Sequence, residues 1–188
     1  GKPTSYVIRP SSDWNHYKKW HLNYGLLFLT LNPDIQNKCQ ADIDAVVPKH
    51  LTPTSEDIEK MPYFQAFVLE THRLGNIVPN PIPRTCPKDW RIRGYTIPKG
   101  SVIFSNHYSV HMDKEYWGDP NVFRPDRLIN DKGEFVADKR VCHFRFGNRI
   151  CIGITLSNAV IPIFLATLLQ NFNFSFVPGR SPQLRNRK

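Results

Sequence analysis

Apolar residues recur at helical spacing in four separate stretches of the chain, and a helix dominates the reading of each. The run "YGLLFLTL" reads as the end of one helix. Asn32 is a cap residue with Pro33 at the first helical position behind it, so a second helix is predicted, with Ile35, Cys39, Ile43, Val46 and Val47 on one face. Beyond the break "PKHLTPTSED", Pro62 opens a compact helix, "YFQAFVLETHRL", with Tyr63, Ala66, Phe67 and Leu74 as its apolar stripe. A proline-rich loop, "VPNPIPRTCPKD", leads to two strand-like runs, "RIRGYTI" and "SVIFSN", joined by the turn "PKG". From Asp113 to Asp138 the pattern is mostly aperiodic. A last helix is expected from near Gly153 to about Gln170, interrupted by Pro162 and followed by the alternating segment "NFNFSF". Residues 1–21 show no sustained period and read as an irregular lead-in. The sum is a mainly α fold with small β-sheets, of the α+β class, without internal repeats.

Composition narrows the setting. The 188 residues suffice for one domain with its own core, and 40% apolar against 22% charged residues is the balance of a globular chain. Lys and Arg outnumber Asp and Glu by 25 to 16, a net charge of +9 that suits an anionic membrane surface or an acidic redox partner. The basic residues are scattered, with local runs only in "HYKKWH" and "RNRK", so no nucleic-acid partner is expected. Cys39, Cys86, Cys142 and Cys151 form no C-x-x-C pair and nothing resembles a signal peptide, which points to a reducing compartment. The longest apolar runs fall short of the roughly 20 residues that cross a bilayer, so no membrane span is expected in this chain.

Three features carry chemistry. Glu70 lies in the middle of the apolar stripe of the Pro62 helix with Arg73 three residues on, and opposite charges on a buried face are costly unless they meet each other and further partners. Arg127, anchored by Phe123 and Pro125 in "FRPDRL", offers a guanidinium fork that could close a bidentate network on Glu70. The third is "HFRFGNRICIG", where Cys151 sits between glycines just as a helical pattern begins, either as a metal ligand or as an incidental thiol in a turn. His107 and His111, with Cys142 or His143, form a weaker zinc alternative, since so much chain separates them.

Taken in order, Glu70-x-x-Arg73, "GYTIPKG" at residues 94–100, the F-x-P-x-R of Phe123–Arg127 and the F-x-x-G-x-R-x-C-x-G of Phe144–Gly153 resemble the cytochrome P450 superfamily of haem-thiolate monooxygenases. "MPYFQAFVLETHRL" resembles its microsomal, animal-type branch. The resemblance runs from about Leu22 to about Pro178. It implies that residues 22–188 are the C-terminal, haem-binding half of that fold. It implies haem b (iron protoporphyrin IX) as cofactor and Cys151 as the thiolate ligand of its iron, because a thiolate pushes electron density into the iron. Gly147 and Gly153 would let the backbone turn under a flat porphyrin, the start of the following helix would stabilise an anionic sulfur, and Phe144 would shield it from water. Arg149 and Arg84 match positions that pair with haem propionates. Glu70, Arg73 and Arg127 would form the network that holds the haem loop, and Val78 and Ile82 would border the substrate cavity.

The same resemblance implies a lipophilic substrate and electrons from NADPH-cytochrome P450 reductase or another donor. It implies the cytoplasmic face of the endoplasmic reticulum membrane, with contact through an N-terminal anchor of a longer chain. Where the family's central helix carries an acidic and alcohol pair for proton delivery, this chain reads "DWNHYKKW", with Tyr17 and Lys18 in that region. Two readings follow: the haem-binding half of a monooxygenase, or a truncated, non-catalytic remnant that keeps the haem-loop motifs.

Overall fold

The structure is a computed structural model that describes residues 16–79, 82–144 and 147–177. Four helices build the core: α1 (His16–Leu31), α2 (Pro33–Val46), α4 (Pro62–Gly75) and α7 (Ile154–Asn171), with the short α3 (Ser55–Ile58) between α2 and α4. Leu29, Cys39, Ile43, Met61, Phe64, Phe67, Ile161, Leu165 and Leu169 interlock in its interior, and Phe123 from the later loop stacks on Phe28 at 4.3 Å between ring centroids. Burying one such side chain contributes on the order of 1.5–3 kcal/mol. Two glycines set how closely the helices approach: a Cβ on Gly25 would lie 3.1 Å from a Leu165 methyl, and one on Gly75 would lie 3.3 Å from the Tyr24 ring.

The helix ends show why these segments start and stop where they do. Pro33 and Pro62 each stand in the first turn of their helices, where a missing N–H costs nothing. The Asn32 side chain does not cap α2; its amide donates to the Phe28 carbonyl at 2.8 Å and closes the end of α1 instead. The first N–H groups of α4 are satisfied from another helix, as Tyr63 N and Phe64 N donate to Asp42 Oδ2 at 2.8 and 3.1 Å. At its other end α4 stops on Asn76, whose φ of +37° is the left-handed turn that favours Asn or Gly.

Several expectations change. The irregular lead-in expected over residues 1–21 gives way to helix at His16, and residues 1–15 lie outside the described residues. The first turns of α1 are seamed by aromatic rings rather than aliphatic residues: His21 packs against His72 at 4.4 Å and Trp20 against Tyr24 at 6.2 Å, a seam with no apolar period to read. "RIRGYTI" is not one strand but most of a hairpin, β2 (Trp90–Ile92) and β3 (Tyr95–Ile97), because Arg93 and Gly94 both take positive φ, at +48° and +85°. The next strand, β4 (Val102–Ile103), pairs antiparallel with β1 (Arg84–Thr85) in a separate two-stranded sheet. Pro162 does not interrupt α7. The helix runs through it, losing only the bond that an N–H there would give the Asn158 carbonyl.

"NFNFSF" forms no strand ladder. The Gln36 side chain takes the part of a neighbouring strand: its Nε2 donates to the Phe174 carbonyl at 2.9 Å and its Oε1 accepts from Phe174 N at 2.7 Å. α7 is long and apolar enough to cross a membrane by length and composition, yet Ile161, Leu165, Ala166 and Leu169 are buried in the helical core.

Candidate functional site

The site has two parts, a buried ionic network at the end of α4 and a loop that presents Cys151. In the network Glu70 and Arg73, one turn apart on α4, have no exposed side-chain surface. Arg73 Nε donates to Glu70 Oε2 at 2.8 Å and Arg73 Nη2 to Oε1 at 2.7 Å, while Nη1 donates to the carbonyls of His111 and Pro120, both at 2.8 Å. The two-pronged partner of Glu70 is therefore Arg73. Arg127 reaches the carboxylate through Nε alone, at 3.1 Å to Oε1, and spends its terminal nitrogens on the Trp117 and Val122 carbonyls and on Asp119, Nη1 to Oδ1 at 3.1 Å. The bidentate fork expected of Arg127 is not made, because its terminal nitrogens are engaged by Trp117, Asp119 and Val122. The backbone N–H of Arg124 completes the shell of Oε1 at 3.1 Å.

Two members of this network escape a reading of charge alone. Asp119 balances the second guanidinium, and the Trp117 ring lies 5.1 Å from the Arg73 guanidinium carbon and 5.8 Å from that of Arg127. The signal was present in "YWGDPNVFRPDRL", where a tryptophan and an acidic residue precede two arginines in a loop too polar to pack by itself.

The loop leaves the network through Val141 and Cys142, both buried, and reaches Phe144. It closes on itself: Cys151 N donates to the Phe144 carbonyl at 2.9 Å, and Ile150 N to the Gly147 carbonyl at 3.1 Å across the 3-10 turn Gly147–Arg149. Gly147 has φ +64°, and nothing lies within 4 Å of where its Cβ would be. The side chain of Cys151 is exposed and free, and its Sγ lies 3.8 Å from the Cβ position of Gly153, the residue before the first turn of α7. A thiol so placed sits at the positive end of an 18-residue helix. Ile152, Leu156 and Phe164, in the loop and on α7, are exposed.

Of the other residues expected at the site, Arg149 lies in the Gly147–Arg149 turn by its backbone, and its side chain is outside the described residues. Arg84 is exposed on β1, and among the described residues no hydrogen bond joins it to the loop. Val78 is half-buried and Ile82 exposed. The side chains of Tyr17 and Lys18 lie outside the described residues.

Histidines line the back of the loop, a feature that sequence reasoning missed. His72 and His143 stack face to face at 4.0 Å, His21 meets His72 edge-on at 4.4 Å, and Phe144 lies 4.1 Å from His143. Burial pushes the His72 ring well below the usual imidazole range, helped by His143 and His21, and pushes His143 down to about 3. His111, buried beneath, has Nδ1 3.2 Å from Asn76 Oδ1 and Nε2 3.1 Å from the Cys142 N–H. Its lone pair is engaged by that amide, and no group of three His, Cys, Asp or Glu among the described residues could hold a metal ion.

An α-rich core, a closed Glu–Arg–Arg network and a free thiol at a helix N-terminus define an α+β domain built around a cysteine-presenting loop. Comparison with known proteins gives that class its family. The family model described as Cytochrome P450 matches residues 20–188. Cytochrome P450 1A1 of Rattus norvegicus is 39% identical over 160 residues, 84% of this chain and 30% of the relative. Cytochrome P450 2L1 of Panulirus argus is 36% identical over 158 residues, 84% of this chain and 32% of the relative. Cytochrome P450 1A1 of Cavia porcellus is 38% identical over 160 residues, 84% and 31% of the two chains. This chain belongs to the cytochrome P450 family, and it spans about a third of the length of the curated relatives it matches.

Members of the family carry haem b. The residues present fit that group on the chemistry of their donors. Among the described residues one exposed thiol stands alone, without the second and third ligands that a tetrahedral metal ion needs. The Gly147 turn leaves open space where any side chain would stand, which suits a flat ring lying against backbone.

Proposed function

We propose that this chain supplies the haem-binding part of a haem-thiolate monooxygenase, an oxidoreductase that inserts one oxygen atom of O2 into a lipophilic substrate. The observation that carries the reading is the Cys151 thiol, exposed in a hydrogen-bonded loop and set against the N-terminus of α7. Bound haem would supply the redox chemistry, with the thiolate donating electron density to the iron.

The chain's own residues have distinct tasks in this reading. Cys151 would hold the haem iron through its thiolate, a charge favoured by the free N–H groups that begin α7. Gly147 and Gly153 would leave room for a flat ring against the backbone. Phe144 excludes water from the sulfur side, and Arg84 and Arg149 offer guanidinium forks to the propionates. Glu70, Arg73 and Arg127 hold the loop's base and take no part in chemistry. Electrons come from NADPH-cytochrome P450 reductase or another donor, at the cytoplasmic face of the endoplasmic reticulum. The +9 charge supports both an acidic redox partner and an anionic membrane surface.

A second reading, a non-catalytic remnant that keeps the haem-loop motifs without activating oxygen, draws on "HYKKW" at the start of α1, where the family's central helix carries an acid and an alcohol. Titration of the purified chain with haemin tests the first step. One equivalent bound by the wild type, and markedly weaker binding by Cys151→Ser but not Cys39→Ser, is the expected result; equal binding by all three contradicts it. Turnover with reductase and NADPH, with peroxide measured in parallel, separates the two readings: coupled product supports the monooxygenase, and peroxide alone supports the remnant.

A further inference from the structure

We infer that His111 is a positioning residue for the Cys151 loop, fixed as its Nδ1–H tautomer so that one imidazole ties the loop's beginning at Cys142 to the C-cap of α4. The consequence for haem rests on the reading of that loop given above; the tether itself does not. His111 ends helix α5 (His107–His111) and is wholly buried.

The tautomer follows from its partners. The Cys142 backbone N–H can only donate, so His111 Nε2, 3.1 Å away, is the acceptor and carries no proton. The proton of the neutral ring is then on Nδ1, which donates to Asn76 Oδ1 at 3.2 Å. Reversing the Asn76 amide would set two donors against each other, so the hydrogen bonds fix that side chain as well. Asn76 is the left-handed residue that ends α4, and its conformation is in turn held by its N–H to the His72 carbonyl at 3.2 Å. The His111 carbonyl accepts from Arg73 Nη1 at 2.8 Å, so the same residue is anchored to the Glu70 network by its backbone. From Cys142 the chain needs two residues to reach Phe144, whose carbonyl receives the Cys151 N–H. The ionic network and the thiol are thereby joined through His111.

The surroundings keep the ring neutral. Among the described residues, the groups that act on its charge are His107 on its own helix and Arg73 on α4, itself paired with Glu70, with the Cys142 thiol beside it and His72 and His143 more distant. Burial, His107 and Arg73 hold its pKa down at about 4. A protonated ring would lose the acceptor for Cys142 and stand beside a guanidinium.

Three measurements on the 188-residue chain decide the matter. Nitrogen-15 NMR of the imidazoles in the wild type should give His111 a protonated Nδ1 and a bare Nε2 at neutral pH; the opposite tautomer overturns the inference. Hydrogen exchange should quicken roughly tenfold at the Cys142–Phe144 amides in His111→Ala, as expected for one lost hydrogen bond. The interior of α7 should be unaffected. His111→Gln, which keeps an acceptor, should restore part of the protection, and unchanged exchange in the alanine variant overturns the inference. If His111→Ala does not fold, Asn76→Ala removes the other partner and must give the same local quickening. With haemin, His111→Ala should lower the fraction of thiolate-type carbonyl spectrum. A wild type that takes up no haem counts against the functional reading alone, since tautomer and exchange are read without it.

Discussion

Glu70 and Arg73 are joined by two parallel hydrogen bonds, Arg73 Nε to Oε2 at 2.8 Å and Nη2 to Oε1 at 2.7 Å, one turn apart on α4 and without exposed side-chain surface. Removing one partner leaves the other charged and dry, a change that costs about 3–5 kcal/mol. Arg73→Ala should be the most damaging change in the network, because it also strands the His111 and Pro120 carbonyls. Arg73→Lys should rescue little, since an ammonium cannot supply the fork. Arg127→Ala leaves the Glu70–Arg73 pair intact and should cost less, about 1.5–3 kcal/mol. Urea unfolding of the three variants checks the order. Near-wild-type midpoints for all three would reduce the network to ordinary pairing.

Acid sensitivity follows from the histidine stack. In the unfolded chain His72 and His143 titrate near their ordinary 6.5, whereas burial keeps His72 well below that value in the folded chain and His143 at about 3. Above pH 6.5 neither state binds these protons and the folded chain has its full stability. As pH falls below 6.5 the unfolded chain takes up protons that the folded one refuses. Stability then declines by up to about 1.4 kcal/mol per pH unit for each ring, until the folded rings themselves protonate. Urea midpoints between pH 7 and pH 4 should fall steeply in the wild type and less steeply in His143→Phe. Identical slopes would mean that His143 is not buried as a neutral ring.

The turn at Gly147 makes a prediction about conformation rather than space. Its φ of +64° penalises any side chain by roughly 1–2 kcal/mol, although nothing lies within 4 Å of its Cβ position. Gly147→Ala should therefore lower the thermal midpoint and Gly147→Asn should lower it less, because Asn tolerates the left-handed region. A larger loss for Asn would show that crowding, not backbone strain, governs the turn.

The helices could be read from the chain because their apolar faces repeat: Cys39 and Ile43 on α2, and Val47 at its C-cap, are buried as their spacing requires. Glu70 and Arg73 were legible for the opposite reason, being charges set on an apolar stripe. The hairpin at Arg93–Gly94 was not, since an Arg-Gly pair bears no usual turn signature and Arg93 takes its positive φ from the pairing on either side. Asp119 and Trp117 were hidden in an aperiodic loop whose shape comes from the guanidiniums it wraps. The start of α1 was missed because its packing surface is His21 against His72, and imidazoles do not count toward an apolar period. The Cys151 loop announced itself through a ten-residue spacing, while the bond from Cys151 N to the Phe144 carbonyl, which shapes it, leaves no trace in residue type.

The central claim is that Cys151 presents a thiolate to haem iron, and the reduced carbonyl complex tests it most directly. The haem-loaded wild type should show the strongly red-shifted Soret band of thiolate ligation, and Cys151→Ser should lose it while keeping its far-ultraviolet helical signal. The same red-shifted band in Cys151→Ser, or its absence from a fully haem-loaded wild type, would contradict the assignment.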